Sequence, residues 1–331
     1  MKKVLFATSA LVACAGMAAA EVTVGGSGRI GLVYNNQKTN GVKNNALATT
    51  RVEKRMTINI DGSGSTDVGL DFGGRIRIRS DERAGSAVAA ANVWVGNDTF
   101  RVTVGNTDGA MLNRINYYQG SVGLTGLHWA NVSFNIGTRR FLLSSYSSRG
   151  GATADVVRLD FNVGGFGVSL STDQTGTTLK TPARPGSESA IAASYNFGDW
   201  TVAAGFAKNV NNATTGPAEQ DMTSISISGS IGDFGVGLGW SDIKKAQNAN
   251  NGGNKVVLSG SYNFGDTTVT GFVARTSADV AGTIGFAAGK KSETEVGLGF
   301  THSLGGATLA GGISRNFQKN IQADVGIRFS F

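Results

Sequence analysis

The feature that most constrains this chain is a two-residue alternation. In the segment from Glu21, Val22, Val24, Ile30 and Leu32 share one parity, while Thr23, Ser27 and Arg29 take the other. A period of two is the repeat of a β-strand with unlike faces. It recurs at Met56, Ile58 and Ile60, at Val68, Leu70 and Phe72, at Ile76 and Ile78, and finally from Ile321 through Ala323, Val325, Ile327 and Phe329 to Phe331. No long segment repeats at the helical period, so the expected fold is all-β.

The connections alternate as well. Short Gly/Asp turns are expected at Asp61-Gly62-Ser63-Gly64, Asn97-Asp98, Gly164-Gly165, Gly198-Asp199, Gly232-Asp233, Gly265-Asp266 and Gly305-Gly306. Between them lie longer Asn/Gly/Ala/Lys-rich loops at 36–48, 80–87, 175–186, 209–218, 244–253 and 278–290. All three prolines, Pro182, Pro185 and Pro217, fall in those loops, where no ladder N–H is needed. Short turns at one end and long loops at the other describe a transmembrane antiparallel β-barrel. A soluble sandwich would also alternate, but would carry fewer large side chains on its outer parity.

The strands are predicted at roughly 22–35, 49–61, 66–79, 88–96, 100–106, 152–163, 166–174, 188–197, 200–208, 220–231, 234–243, 254–264, 267–276, 291–304, 307–317 and 320–331. That is about sixteen, an even number, as a barrel with both ends on the periplasmic side requires. Aromatics flank the turns, as in Tyr195-Asn196-Phe197-Gly198-Asp199-Trp200 and Tyr262-Asn263-Phe264-Gly265-Asp266, where an interfacial girdle would sit. About 45 residues, 106–150, separate the fifth and sixth strands. Loops of that length are usually functional, and sixteen strands leave a channel that an inward loop would narrow.

Residues 1–20 read as an export signal. Lys2 and Lys3 precede an apolar stretch from Val4 to Met17, and Ala18-Ala19-Ala20 offers a cleavage site before Glu21. Cleavage would leave 21–331 as one barrel domain, lower the formal charge from +7 to +5, and remove Cys14, the only cysteine. The mature chain would then hold itself together without disulfides. Mean hydropathy near zero, −0.05, averages an apolar parity with a polar one, and no stretch is long and apolar enough for a membrane helix.

The chain resembles the trimeric general diffusion porins of the Rhodobacter type over essentially the whole length after position 20. The resemblance is carried by Gly28-Arg29-Ile30-Gly31-Leu32, by Val102-Thr103-Val104-Gly105-Asn106 with the long third extracellular loop after it, and by the ending Ala323-Asp324-Val325-Gly326-Ile327-Arg328-Phe329-Ser330-Phe331. It implies a homotrimer in the outer membrane of a Gram-negative bacterium, a third loop folded into the lumen as an eyelet, and a role for Phe331 in the signal read by the assembly machinery. Partners would be outer-membrane lipids, small ions and solutes.

Parity then assigns a lumen wall. With Met56, Ile58 and Ile60 facing lipid, Arg51, Glu53, Arg55, Thr57 and Asn59 face inward; with Phe72, Ile76 and Ile78 outward, Arg75, Arg77 and Arg79 face inward; Arg29 and Arg101 share that parity in their strands. Outward arginines at mid-height would cost roughly 2–4 kcal/mol each. A turn at 61–65 would set Arg51 level with Arg75 and Arg77, with Glu53 and Asp71 as the only offsetting acids. Members of the resembled family oppose this wall with loop carboxylates, but here the loop has Asp108 at its start and no further Asp or Glu until Asp155, while it carries Arg114, His128, Arg139, Arg140 and Arg149. The expectation is a pore that favours anions. Calcium is allowed by the resemblance, yet the ion needs several oxygen ligands, so no cofactor or metal is expected.

The same residues bear on other functions. Hydrolytic catalysis needs a nucleophile with a positioned base, and the mature chain offers only His128 and His302. A channel specific for phosphate or organic acids would suit rows of arginine. An adhesin is the third alternative. Nucleic-acid binding is excluded, because the basic residues are dispersed along strands and loops behind an export signal.

Overall fold

The computed structural model describes residues 20–331 apart from 37, 40–41, 44–48, 83–84, 117–120, 129–131, 137–138, 143–155, 174–187, 213–215, 245–251, 280, 282–285 and 287. Sixteen antiparallel strands follow one another around a closed barrel. They are β1 (Glu21–Asn35), β2 (Thr50–Ser65), β3 (Asp71–Asp81), β4 (Gly85–Val88 continued by Asn92–Gly96), β5 (Phe100–Gly105), β6 (Val156–Val163), β7 (Phe166–Asp173), β8 (Ser189–Phe197), β9 (Trp200–Asn212), β10 (Gly216–Ile231), β11 (Phe234–Ile243), β12 (Gly253–Asn263), β13 (Thr267–Ala278), β14 (Ser292–Ser303), β15 (Ala307–Arg315) and β16 (Ile321–Ser330).

Closure is made by β1, which pairs with β2 on one side and with β16 on the other, from Ser27 opposite Ser330 to Asn35 opposite Gln322. The last residue extends the seam: Gly26 N–H donates to the Phe331 carbonyl at 2.7 Å. Closing the ladder satisfies the edge N–H and C=O groups that hydrocarbon would leave without partners. No helix of the described residues is long and apolar enough to cross a membrane.

The outer parity is apolar and bare: Val24, Ile30, Leu32, Phe72, Leu159, Ile191, Leu258, Leu298 and Ile327 are all exposed. Water would make such a band a liability, whereas lipid solvates it. At the short-turn end Phe166, Tyr195, Phe197, Phe234 and Phe264 are exposed too, which is where an aromatic girdle belongs.

The buried apolar residues lie inside the barrel. The described residues between 106 and 136 turn into the lumen, with a short helix, α1 (Ala110–Arg114), packed on β7, β8 and β9. Met111, Ile115, Val132, Phe134 and Ile136 form its core with wall residues such as Ala192, Ala203, Met222 and Ile243. Phe286 and Phe317, from the connections flanking β14 and β15, join that cluster with ring centroids 5.8 Å apart.

Three boundaries differ from the sequence reading. The loop expected at 209–218 is mostly ladder, with Asn212 opposite Gly216, and the one expected at 80–87 already contains the start of β4. The hairpin between β2 and β3 turns at 66–70, not 61–65. Thr66 N–H donates to the Leu70 carbonyl at 2.7 Å, and Gly69 takes φ +81°. Gly62 and Gly64 both remain in the strand, and at Gly64 an aromatic ring crosses: a β-carbon there would lie 2.8 Å from Phe72 Cζ. The register therefore sets Asn59 opposite Arg77 and Asp61 opposite Arg75.

Candidate functional site: the lumen wall and the inward loop

The arginines gather on β16, β1, β2 and β3. Arg328 is opposite Arg29, and Arg29 is opposite Arg55, so three adjacent strands carry guanidinium groups at one height. Arg79, opposite Thr57, and Arg77, opposite Asn59, continue the group on β3. Arg29, Arg55, Arg77, Arg79 and Arg328 line a cavity of about 670 Å³, and among the described residues no carboxylate lines it. The acids that offset them stand behind: Glu53 is ion-paired to Arg29, and Asp81 lies 3.1 Å from Arg79 and 3.9 Å from Arg55. Arg77 Nε donates to Asn59 Oδ1 at 2.7 Å.

Arg51, Arg75 and Arg101 stand apart from this group. Arg75 is near the short-turn end, 2.6 Å from Asp61. Arg51 sits opposite Val33 on the long-loop side. Ten residues of β2 separate it from the height of Arg75, about 33 Å of strand, so the expectation that the two are level is corrected by the register. Arg101 lies with its guanidinium carbon 4.1 Å from the centre of the Trp94 ring. Asp71, expected to offset the wall, instead accepts from Ser65 beside the turn.

The inward loop is tied down in three places. At α1, Ala110 N–H donates to Ser171 Oγ at 2.8 Å, Asn113 Nδ2 donates to Asp160 and Ser169, and Arg114 Nε donates to Ser169 Oγ at 2.6 Å. Arg114 thus turns to the wall, 3.8 Å from Asp160; burial there pulls its pKa below the usual guanidinium value. Asp108 offers its carbonyl to Arg158 at 2.6 Å.

At the loop tip, one carboxylate from β16 takes three donors. Asp324 accepts the Leu124 and Thr125 N–H groups at 2.8 and 2.7 Å, and the Thr125 hydroxyl. The tip rests on two pairs of glycines that face each other across strands: Gly31 with Gly326 on β1 and β16, and Gly299 with Gly312 on β14 and β15. A β-carbon on Gly326 would lie 2.7 Å from Leu124 Cδ2, and one on Gly312 would lie 2.8 Å from the Gly123 backbone nitrogen. Only a wall without side chains lets the loop backbone approach this closely. His128 secures the same turn: its Nδ1 accepts the Val122 N–H at 3.1 Å. Burial pushes the imidazole down to about 4, helped by the charge of Arg328.

On the returning limb, Ser133 meets Ser241 at 2.9 Å and Asn135 meets Lys255. Asn135 and Ile136 pair with Arg140 and Arg139 in a two-residue ladder; the side chains of both arginines, with Arg149 and Asp155, lie outside the described residues. His302 is held by Thr267 at 2.8 Å. Among the described residues no three His, Cys, Asp or Glu side chains group as a metal would require.

Asp324 and Arg328 were readable as inward-facing, because Val325, Ile327 and Phe329 take the other parity, yet nothing in the pattern says that they meet the loop. The glycine seats carried a signal too: Gly31, Gly299, Gly312 and Gly326 sit at inward positions inside strands, where turn-making does not explain them.

A closed sixteen-stranded barrel with an apolar outer band, a charged lumen and a loop folded into it defines a channel of the porin class. The model of the Gram-negative porin family matches residues 7–320, and the chain belongs to that family. It is similar to the porin of Fuscovulum blasticum, 28% identical over 322 residues that cover 94% of this chain and all of the relative, and to that of Rhodobacter capsulatus, 25% identical over 334 residues with the same coverage. A solved triple mutant of the Rhodopseudomonas blastica porin superposes with a TM-score of 0.75 at 26% identity, covering 94% of this chain and 100% of that one. The chain is therefore a multi-pass barrel of the Gram-negative outer membrane that serves as a channel for passive diffusion, and porins are a family of channels rather than enzymes.

Proposed function

We propose that the channel passes small hydrophilic solutes and prefers anions. One observation carries this reading: five arginines line one cavity of the lumen with no carboxylate among its described lining residues, while the loop facing the wall has no Asp or Glu from 109 to 154. Guanidinium stays charged at any pH the membrane survives, and rings of such charge attract anions and repel cations. Arg29, Arg55, Arg77, Arg79 and Arg328 are the selectivity residues in this view, with Arg51 and Arg101 lining the approaches on either side. Asp108, Arg114 and His128 belong to the framework of the constriction loop, and Arg139 and Arg140 add positive charge to it. Reversal potentials in a KCl gradient across planar bilayers test it: the expected sign is that of chloride preference, and a potassium preference overturns it.

The adjacency of Arg328, Arg29 and Arg55 also supports a narrower reading, a channel specific for multivalent oxyanions, because neighbouring guanidinium groups suit bidentate contacts. Saturable block of chloride current by low concentrations of phosphate favours it; permeability that falls smoothly with solute size favours general diffusion.

Cleavage after Ala20, assembly as a homotrimer, and use of Phe331 as part of the assembly signal complete the proposal. Phe331 suits that role because its exposed ring lies beside Phe329 at the seam, centroids 6.4 Å apart. An N-terminal sequence beginning at Glu21 and the mass of the detergent-solubilised particle check the first two.

A further inference from the structure

Lys255 on β12 and Glu295 on β14 are both fully buried, with Nζ and Oε2 2.9 Å apart. Each occupies the inward parity of its strand, since Val256, Leu258, Val296 and Leu298 are exposed on the other. On the strand between them, Thr276 Oγ1 donates to Glu295 Oε1 at 2.7 Å. Lys255 gives a further hydrogen bond to the backbone carbonyl of Asn135, at 3.1 Å. Residues 132–136 of the loop are buried as well.

A buried ion pair is not by itself a route to stability. Desolvation offsets the attraction, and an apolar pair of similar volume is often as stable or more so. What an ammonium adds is a spare donor, and here that donor reaches the loop. Asn135 and Ile136 pair with Arg140 and Arg139, so a fixed Asn135 carbonyl fixes the short ladder to which both arginines belong. The contacts at α1 and at Asp324 hold the outgoing limb; Lys255, with the Ser133–Ser241 contact, holds the returning one.

We propose that Lys255 and Glu295 are a positioning pair that clamps the returning limb of the inward loop at Asn135 and so keeps the open width of the lumen constant.

Single-channel recording of the whole purified protein in planar bilayers tests this with K255M/E295M, which removes both charges together and avoids leaving one unpaired. Thermal stability of the barrel should stay near that of the native protein. Loss of a charge-assisted hydrogen bond to the loop should raise the time spent in closed or reduced-conductance states roughly tenfold. A double variant as quiet as the native channel would overturn the proposal, because a pair with a purely structural role leaves the loop where it was.

Adding S133C/S241C to that background keeps the test decisive if the double variant assembles poorly. These side chains already touch at 2.9 Å, and the cysteines would bridge in the oxidising periplasm. The bridged channel should be quiet and should begin to flicker on reduction. Flicker that persists in the bridged form, or none after reduction, would also overturn the clamp. Closures are read equally in anion- and cation-preferring channels, so this failure is distinct from failure of the anion preference.

Discussion

Leu124 and Asp324 are 200 residues apart in the chain and joined by a 2.8 Å hydrogen bond from the leucine N–H to the carboxylate. With Thr125 donating twice to the same group, one side chain on β16 holds the tip of a loop that enters from β5. Asp324→Ala should leave one buried and one half-buried N–H group without an acceptor, a cost of about 2–3 kcal/mol borne by the tip and not by the ladder. The expected result is an intact barrel with a looser loop, so that disaccharides enter proteoliposomes faster than they do with the native protein. Equal swelling rates would mean that the tip is held by other contacts.

The glycine pairs make a second, contrasting expectation. A β-carbon on Gly312 meets Gly123 and Val122 of the loop tip, whereas one on Gly62 meets nothing within 4 Å. Gly312→Ala should therefore lower barrel stability by about 1–3 kcal/mol through overpacking, and Gly62→Ala should stay within about 0.5 kcal/mol of the native value. Denaturation midpoints followed by the heat-dependent gel shift of the barrel compare the two; equal midpoints would remove the seat from the account of the loop.

Selectivity should depend on position within the arginine wall. Arg29 is a poor test, because its removal strands the buried Glu53 and breaking a buried pair costs several kcal/mol. Arg328 lines the cavity and, among the described residues, has no carboxylate at salt-bridge distance, while Arg75 is 2.6 Å from Asp61. Arg328→Gln should move the reversal potential measurably toward zero, and Arg75→Gln should leave it nearly unchanged. The opposite ranking would place the selective charge at the short-turn mouth.

These contrasts also mark what could be read from the chain alone. Alternation, loop lengths and strand number disclosed the barrel because each is a local pattern repeated many times. Register was not legible where glycine has two uses. Asp61-Gly62-Ser63-Gly64 has the composition of a turn, yet Gly62 and Gly64 stay in the strand, Gly64 to let the Phe72 ring cross. That single misplacement shifted Arg51 from one end of the wall to the other. The inward loop was visible from its length, but its seats join residues such as Asn135 and Lys255, 120 apart, and pairings of that range leave no periodic trace.

Acidity should loosen the loop through His128. Its imidazole, near 6.5 when unfolded, is pushed down to about 4 in the fold, first by burial and then by Arg328. A base with a depressed pKa binds more protons unfolded than folded between those values, so stability falls as pH falls through that window. The contribution is complete above pH 6.5, declines between 6.5 and 4, and changes no further below 4; its upper size is about 3 kcal/mol. The geometry gives the same direction, since a protonated Nδ1 has no lone pair for the Val122 N–H that it now accepts at 3.1 Å. Channel closures should thus become more frequent as pH is lowered from 7 to 4.5. His128→Asn keeps a side-chain acceptor without a titrating ring and should flatten that dependence; a variant whose closures still rise as steeply with acid would assign the effect to other groups.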